Sequence, residues 1–215
     1  MLNTDTPDFL SPKDQTFLNS VTSEMQTLNL HDTVIRFIER SKCFHIVCAN
    51  DKDVPLVLNL LKHSRLSFSI LTDLFCVDFP KSKKRFEITY NLLSLKLNRR
   101  LMVKTSVDEN TAETNSVVQI YKAANWYERE IYDMFGIVFK NHPDMRRILT
   151  DYGFVGHPLR KDFPVYGYTE IRYDDKQEKI VHEKVNLDQQ YRNFDFSSPW
   201  PDMKYSLPGD EKASK

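Results

Sequence analysis

The chain has 215 residues with Lys plus Arg and Asp plus Glu at 30 each, so its formal charge is 0. That balance provides no global field to hold a nucleic acid or an anionic membrane. At 40% hydrophobic and 12% aromatic residues, it can bury a core of its own.

The first residues carry Asp5, Asp8 and Asp14 against Lys13. This pattern is unlike an Arg-rich transit peptide, and no apolar run reaches the roughly 18 residues of a membrane span. Ser11 before Pro12 predicts a helix start, and Phe17, Val21, Met25 and Leu28 then recur at helical spacing. Runs rich in Val, Ile and Phe at 33–38 and 43–48 predict strands. Asp51 or Asp53 can cap a second helix with Pro55 in its first turn and a stripe of Val54, Val57, Leu58 and Leu61. The 3 cysteines, Cys43, Cys48 and Cys76, form no C-x-x-C. They are too few for an iron–sulfur cluster, so packing is expected of them.

From residue 66 to 105 the period changes to two. Phe86, Ile88, Tyr90 and Leu92 share one face, whereas Leu93, Leu95 and Leu97 share the other, and the switch predicts a bulge near 91–93. Turns at 80–84 and 98–100 predict hairpins. The basic cluster of Lys81, Lys83, Lys84, Arg85, Arg99 and Arg100 falls at these strand ends, where a solvated loop is the plain reading. The expected fold is α+β, a mixed, mostly antiparallel sheet packed by helices, with a long irregular C-terminal extension.

None of the 5 glycines precedes Gly136. Neither a dinucleotide fingerprint nor a phosphate-cradling loop is therefore present. The organisation read from this boundary is an N-terminal tail and helix start at 1–20, a core at 21–136, and a partner-wrapping extension at 137–215 with a short hairpin around 174–177.

The most informative segment begins at Asn125. Asn125 and Glu128 read as a capping box, and Gly136 reads as the left-handed residue that closes the helix. A helical wheel gathers Tyr127, Ile131, Met134 and Phe135 toward the core and Trp126, Arg129, Glu130 and Asp133 on the opposite side. Arg129 and Asp133 could form a solvated pair. A large indole among three charges is also the composition of interface centres. The following loop carries Arg146, Arg147, Arg160 and Lys161 with Asp144, Asp151 and Asp162, enough for local ion-pair networks. Its length predicts contact with something else. His142, Asp144, His157 and Asp162 are metal-ligand types without ligand spacing, and Glu128 and Glu130 diverge too far on a helix to act as a paired acid and base.

WYEREIYDMFG at 126–136, NHPDMRRILTDYGF, GHPLRKDFP and, more loosely, RFEITYNLLSLKLNRR at 85–100 and FDFSSPW at 194–200 resemble the thirty-kilodalton subunit family of respiratory complex I. Met145, Val165 and Lys184 depart from that family's usual residues.

The resemblance implies a structural subunit of the quinone-reducing module in the peripheral arm of the proton-translocating NADH:ubiquinone oxidoreductase. It implies no catalytic site, cofactor or metal in this chain, with FMN and iron–sulfur clusters carried by partner subunits. The implied partners are the hydrogenase-like quinone-site subunit and neighbouring iron–sulfur subunits, with no nucleic acid and no direct membrane span. Trp126, Glu128, Arg129, Glu130, Asp133, Arg146, Arg147, His157, Arg160, Lys161 and Asp162 are carried over as interface residues. The implied place is the matrix side of the mitochondrial inner membrane, or the cytoplasmic side of a bacterial plasma membrane. Alternatives are the equivalent subunit of a plastid or hydrogenase-related complex and, from another class, an RNA-binding module using residues 81–100.

Overall fold

Alternation along Phe86–Ser94 places Phe86, Ile88, Tyr90 and Leu92, each fully buried, on one face of a strand, and that face nucleates the core. The computed structural model describes residues 3–5, 10–28, 33–38, 43–187 and 189. In chain order the strands are β1 (Asn3–Asp5), β2 (Thr33–Ile38), β3 (Cys43–Cys48), β4 (Ile70–Asp78), β5 (Phe86–Ser94), β6 (Arg99–Val107), β7 (Glu113–Asn115), β8 (Val138–Lys140), β9 (Thr169–Asp174) and β10 (Lys179–Lys184). The helices are α1 (Pro12–Gln26), α2 (Val54–His63) and α3 (Ala124–Phe135).

Six strands form one sheet in the order β1-β2-β3-β6-β5-β4. Its β2–β3, β4–β5 and β5–β6 pairs are antiparallel, and its β1–β2 and β3–β6 pairs are parallel. The expected mixed, mostly antiparallel sheet is thus observed. Ser11 caps α1, its hydroxyl accepting from the Asp14 amide, and α2 buries the anticipated stripe of Val54, Val57, Leu58 and Leu61. Asp53 stands at the α2 N-cap without a side-chain bond, because a single 3-10 turn at Asp51–Asp53 leads into the helix.

The bulge lies on the neighbouring strand. Pairing of β5 with β6 is unbroken from Phe86 to Ser94, while the register between β4 and β5 shifts between Leu71 and Asp73. Thr72 is the extra residue. Its hydroxyl donates to the Asn91 carbonyl (2.9 Å) and its own carbonyl accepts from the Tyr127 hydroxyl (3.2 Å), so the bulge anchors α3 to the sheet. Leu95 and Leu97 belong to the turn before β6 and are exposed.

Two compact units divide the chain at Gly167. The sequence placed that boundary at Gly136, but residues 137–167 return to α3 and the sheet through the bonds described below. Within the second unit, β9 and β10 form the expected hairpin, paired from Thr169 with Lys184 to Asp174 with Lys179. Residues 194–200, and most of the tail around them, lie outside the described residues.

Candidate functional site

Helix α3 begins two residues earlier than its sequence suggests. Ala123 is the N-cap and makes no side-chain bond, so Asn125 is not a cap and no capping box forms. Glu128 instead turns inward. Its Oε1 accepts the Val117 amide at 2.7 Å in a fully buried site. Among the described residues its Oε2 has no hydrogen-bond partner, and His142 Nε2 stands 4.0 Å away. Burial raises the Glu128 pKa to about 7, with bonds from Ser116 and the Val117 amide opposing the shift.

The apolar face of α3 is as the wheel placed it, with Ile131, Met134 and Phe135 buried and Tyr127 partly so. Its polar face is split. Trp126 and Glu130 are exposed, but Arg129 and Asp133 are buried and do not bond each other. The chain's own loop covers them, a tertiary relation that helical periodicity does not encode.

Asp133 is the organising carboxylate of that loop. Its Oδ2 accepts the amides of Ile148, Leu149 and Thr150 (3.1, 2.7 and 2.9 Å), its Oδ1 accepts the Thr150 hydroxyl (2.7 Å), and Oδ1 also forms an ion pair with Arg147 Nε at 2.8 Å. Burial alone would raise the Asp133 pKa, but the Thr150 hydroxyl and the three amides outweigh it and bring it down to about 2. Arg147 spreads across the loop, donating to the carbonyls of Phe154 and Gly156 while lying over the Phe154 ring. Arg129 donates through Nε to the Arg146 carbonyl (3.0 Å) and stacks on Trp126, 5.0 Å from its ring centre.

The C-terminal carbonyls of α3 meet the next turn of the loop. Asp133, Met134 and Phe135 carbonyls receive His157 Nδ1 (3.0 Å), the Leu159 amide (3.2 Å) and Arg160 Nε (2.6 Å). Gly136 closes the helix at φ +77°, and a Cβ there would lie 2.5 Å from His157 Nε2. Only glycine satisfies both conditions.

A second anchor went unrecognised in the basic cluster. Arg85 is buried and grips Asp78 with two bonds (2.7 and 2.8 Å), then reaches Glu109 and Asp162 (2.9 Å). Asp78 also accepts the Lys161 amide at 2.7 Å. The Arg85 hydrogen bonds hold the Asp78 carboxyl below the usual carboxylate range. The sequence signal is an Asp-x₆-Arg pair across a tight hairpin, which the solvated lysines around Arg85 mask.

Of the residues named from sequence, Glu128, Asp133, Arg147, His157, Arg160 and Asp162 make intrachain bonds that shape the loop. Arg146 pairs with Asp144 at 2.7 Å on the surface, as local networks required, while the Lys161 side chain, Trp126 and Glu130 are exposed. Trp126, Arg129, Arg146, Arg147, Thr150 and Tyr152 line a groove of about 750 Å³. Cys48 and Cys76 are buried thiols pushed up to about 12 chiefly by burial, as packing residues would be. Among the described residues, no group of three or more His, Cys, Asp or Glu is placed to hold a metal.

The sequence matches the family described as respiratory-chain NADH dehydrogenase, 30 Kd subunit, over residues 47–169. It is 58% identical over 160 residues to the NADH-quinone oxidoreductase C subunit of Rickettsia bellii, covering 74% of this chain and 81% of that one. It is 53% identical over 164 residues to the same subunit of a Chelativorans species, covering 76% and 82%. A chain in the structure of the membrane-bound sulfane sulfur reductase, an archaeal respiratory membrane complex, aligns with a TM-score of 0.61 at 26% identity over 84% of this chain and 99% of that one. The family match takes in the last sheet strands, α3 and the loop that Asp133 and Arg85 hold in place. The chain belongs to the 30 Kd subunit family of the respiratory-chain NADH dehydrogenase.

Proposed function

We propose that this subunit is a scaffold of the quinone-reducing module of NADH:ubiquinone oxidoreductase, without a redox centre of its own. It packs against the hydrogenase-like quinone-site subunit and the neighbouring iron–sulfur subunits, and FMN and the clusters reside in those partners. The carrying observation is a run of exposed apolar side chains on an internally pinned loop. Tyr152, Val155 and Val165 are 96%, 84% and 83% exposed, and Leu149 and Leu159 join them. A free monomer rarely displays such a surface, and a loop fixed by Asp133 and Arg85 presents it preorganised for a partner.

The basic residues of 81–104 support this reading over an RNA-binding one. Arg85 is buried among carboxylates, Lys84 donates to the Ala49 carbonyl, and Arg99 and Lys104 pair with Asp14 and Glu87. Lys81, Lys83, Lys96 and Arg100 remain exposed at the strand ends, a small set in a chain whose formal charge is 0. No described helix is long and apolar enough to cross a membrane, so the partners hold the subunit at the membrane, bacterial or mitochondrial. The 26% identity to a chain of the sulfane sulfur reductase structure, against 58% to the Rickettsia protein, favours the quinone-reducing complex over that archaeal one.

Native electrophoresis of detergent-solubilised membranes, with mass spectrometry of the NADH-oxidising band, tests the assignment. The chain is expected in that band. Recovery only in other assemblies, or flavin or cluster absorbance in the isolated chain, would overturn it.

A further inference from the structure

The groove between α3 and the 146–153 loop holds a cation with part of its bonding capacity unused. Arg129 is 9% exposed, and its Nε is committed to the Arg146 carbonyl. Among the described residues neither of its terminal amino groups meets an acceptor, and no carboxylate lies within ion-pair distance of it. Its two arginine neighbours are already neutralised, Arg146 by Asp144 and Arg147 by Asp133. Such desolvation of a guanidinium that lines a groove is costly until an anion arrives.

The walls specify what sort of anion. Trp126, 64% exposed, stacks on Arg129, and Tyr152, nearly fully exposed, lines the same groove. Aromatic walls around a buried arginine are the composition of a binding hot spot, where apolar area and one charge-assisted bond act together. Asp151 at the rim, unlike a uniformly basic channel, repels a polyanion.

We infer that this groove receives a single carboxylate side chain, carried on an apolar segment of a neighbouring subunit, with Arg129 as its bidentate fork and Trp126 and Tyr152 as its walls. The inference rests on the scaffold reading above and names the chemistry of one contact within it. Arg129 fixes the position of the partner segment, and the apolar side chains of the loop extend the contact.

The test compares the free full-length chain with the assembled complex. Hydroxyl-radical footprinting of the wild-type protein should show Trp126 and Tyr152 oxidised in the free chain and protected in the complex, about tenfold or more, as burial at an interface centre requires. If the chain is in the complex yet both residues oxidise equally in the two states, the groove is unoccupied and this inference alone fails. If the chain never enters the complex, the scaffold reading fails first. Protection that nuclease or lipid extraction removes would also overturn the inference. The carboxylate is then captured with a zero-length carbodiimide in complexes carrying Arg129→Lys or, at the exposed rim where folding makes no demand, Trp126→Lys. The expected product is an amide joining position 129 or 126 to an Asp or Glu of another subunit. Coupling confined to Asp144 or Asp151 of this chain, or none with either variant, would overturn the assignment of a carboxylate.

Discussion

Thr150 is joined to Asp133 twice, its hydroxyl to Oδ1 at 2.7 Å and its amide to Oδ2 at 2.9 Å. With the Ile148 and Leu149 amides and Arg147, these bonds turn an irregular segment into a fixed surface. Asp133→Ala leaves three amides, a hydroxyl and a guanidinium without their acceptor, at a cost of about 3–5 kcal/mol. Urea unfolding of the isolated chain should show that loss, and hydrogen exchange should show residues 146–150 opening first. A loss below about 1 kcal/mol would mean that the loop is held elsewhere.

The Asp133 pKa is lowered to about 2, so its contribution is complete above the ordinary carboxylate range and disappears as pH falls toward 2. Glu128 has the opposite sign. With its pKa raised to about 7, its buried carboxyl favours the protonated state, and stability falls as pH rises from the ordinary glutamate range through 7. Glu128→Gln should abolish that decline, so that its stability relative to wild type rises by about 2–3 kcal/mol between pH 5 and pH 8. Melting curves at pH 5 and pH 8 measure it, and an equal pH response in the two proteins would refute the assignment.

Gly136→Ala meets two penalties, a left-handed backbone at φ +77° and a Cβ 2.5 Å from the His157 ring and 2.8 Å from Arg160 Nη2. The backbone term alone is about 1–2 kcal/mol. Displacement of the 157–160 turn adds to it, so limited proteolysis near residues 157–163 should accelerate along with a fall in melting temperature. A lower melting temperature without faster cleavage would separate the backbone strain from the packing.

Arg85 and Arg160 should differ despite their proximity to the same loop. Arg85→Ala leaves the fully buried Asp78 unpaired, a loss of about 3–5 kcal/mol. Arg160→Ala removes one bond to the Phe135 carbonyl and a stack on Phe86, worth about 1–3 kcal/mol together. Paired denaturation curves decide the order, and a greater loss from Arg160→Ala would reverse the two roles.

Periodicity was sufficient for α1, α2 and both early strands, because each buries a stripe that its own spacing declares, whereas the last hairpin, whose strands are largely exposed, is declared by its turn residues at 174–177. The bulge was misplaced because the parity change of Leu93 and Leu95 marks the end of β5, whereas Thr72 on β4 has no such mark. At α3 the sequence disclosed which residues carried chemistry but not their partners. Glu128 reads as a cap until the 117–121 turn supplies an amide for it. Arg129 and Asp133 read as a helical pair until residues 146–150 are seen to lie over them. Arg85 was lost among lysines, since burial of one member of a basic run depends on a sheet edge and a loop 77 residues away.

The most direct test of the scaffold role is quinone reductase activity per assembled complex in a strain carrying Asp133→Ala. A scaffold predicts less intact complex on a native gel, with nearly normal activity in each complex that forms. Full assembly with quinone reduction abolished would place this segment in the chemistry and contradict that role.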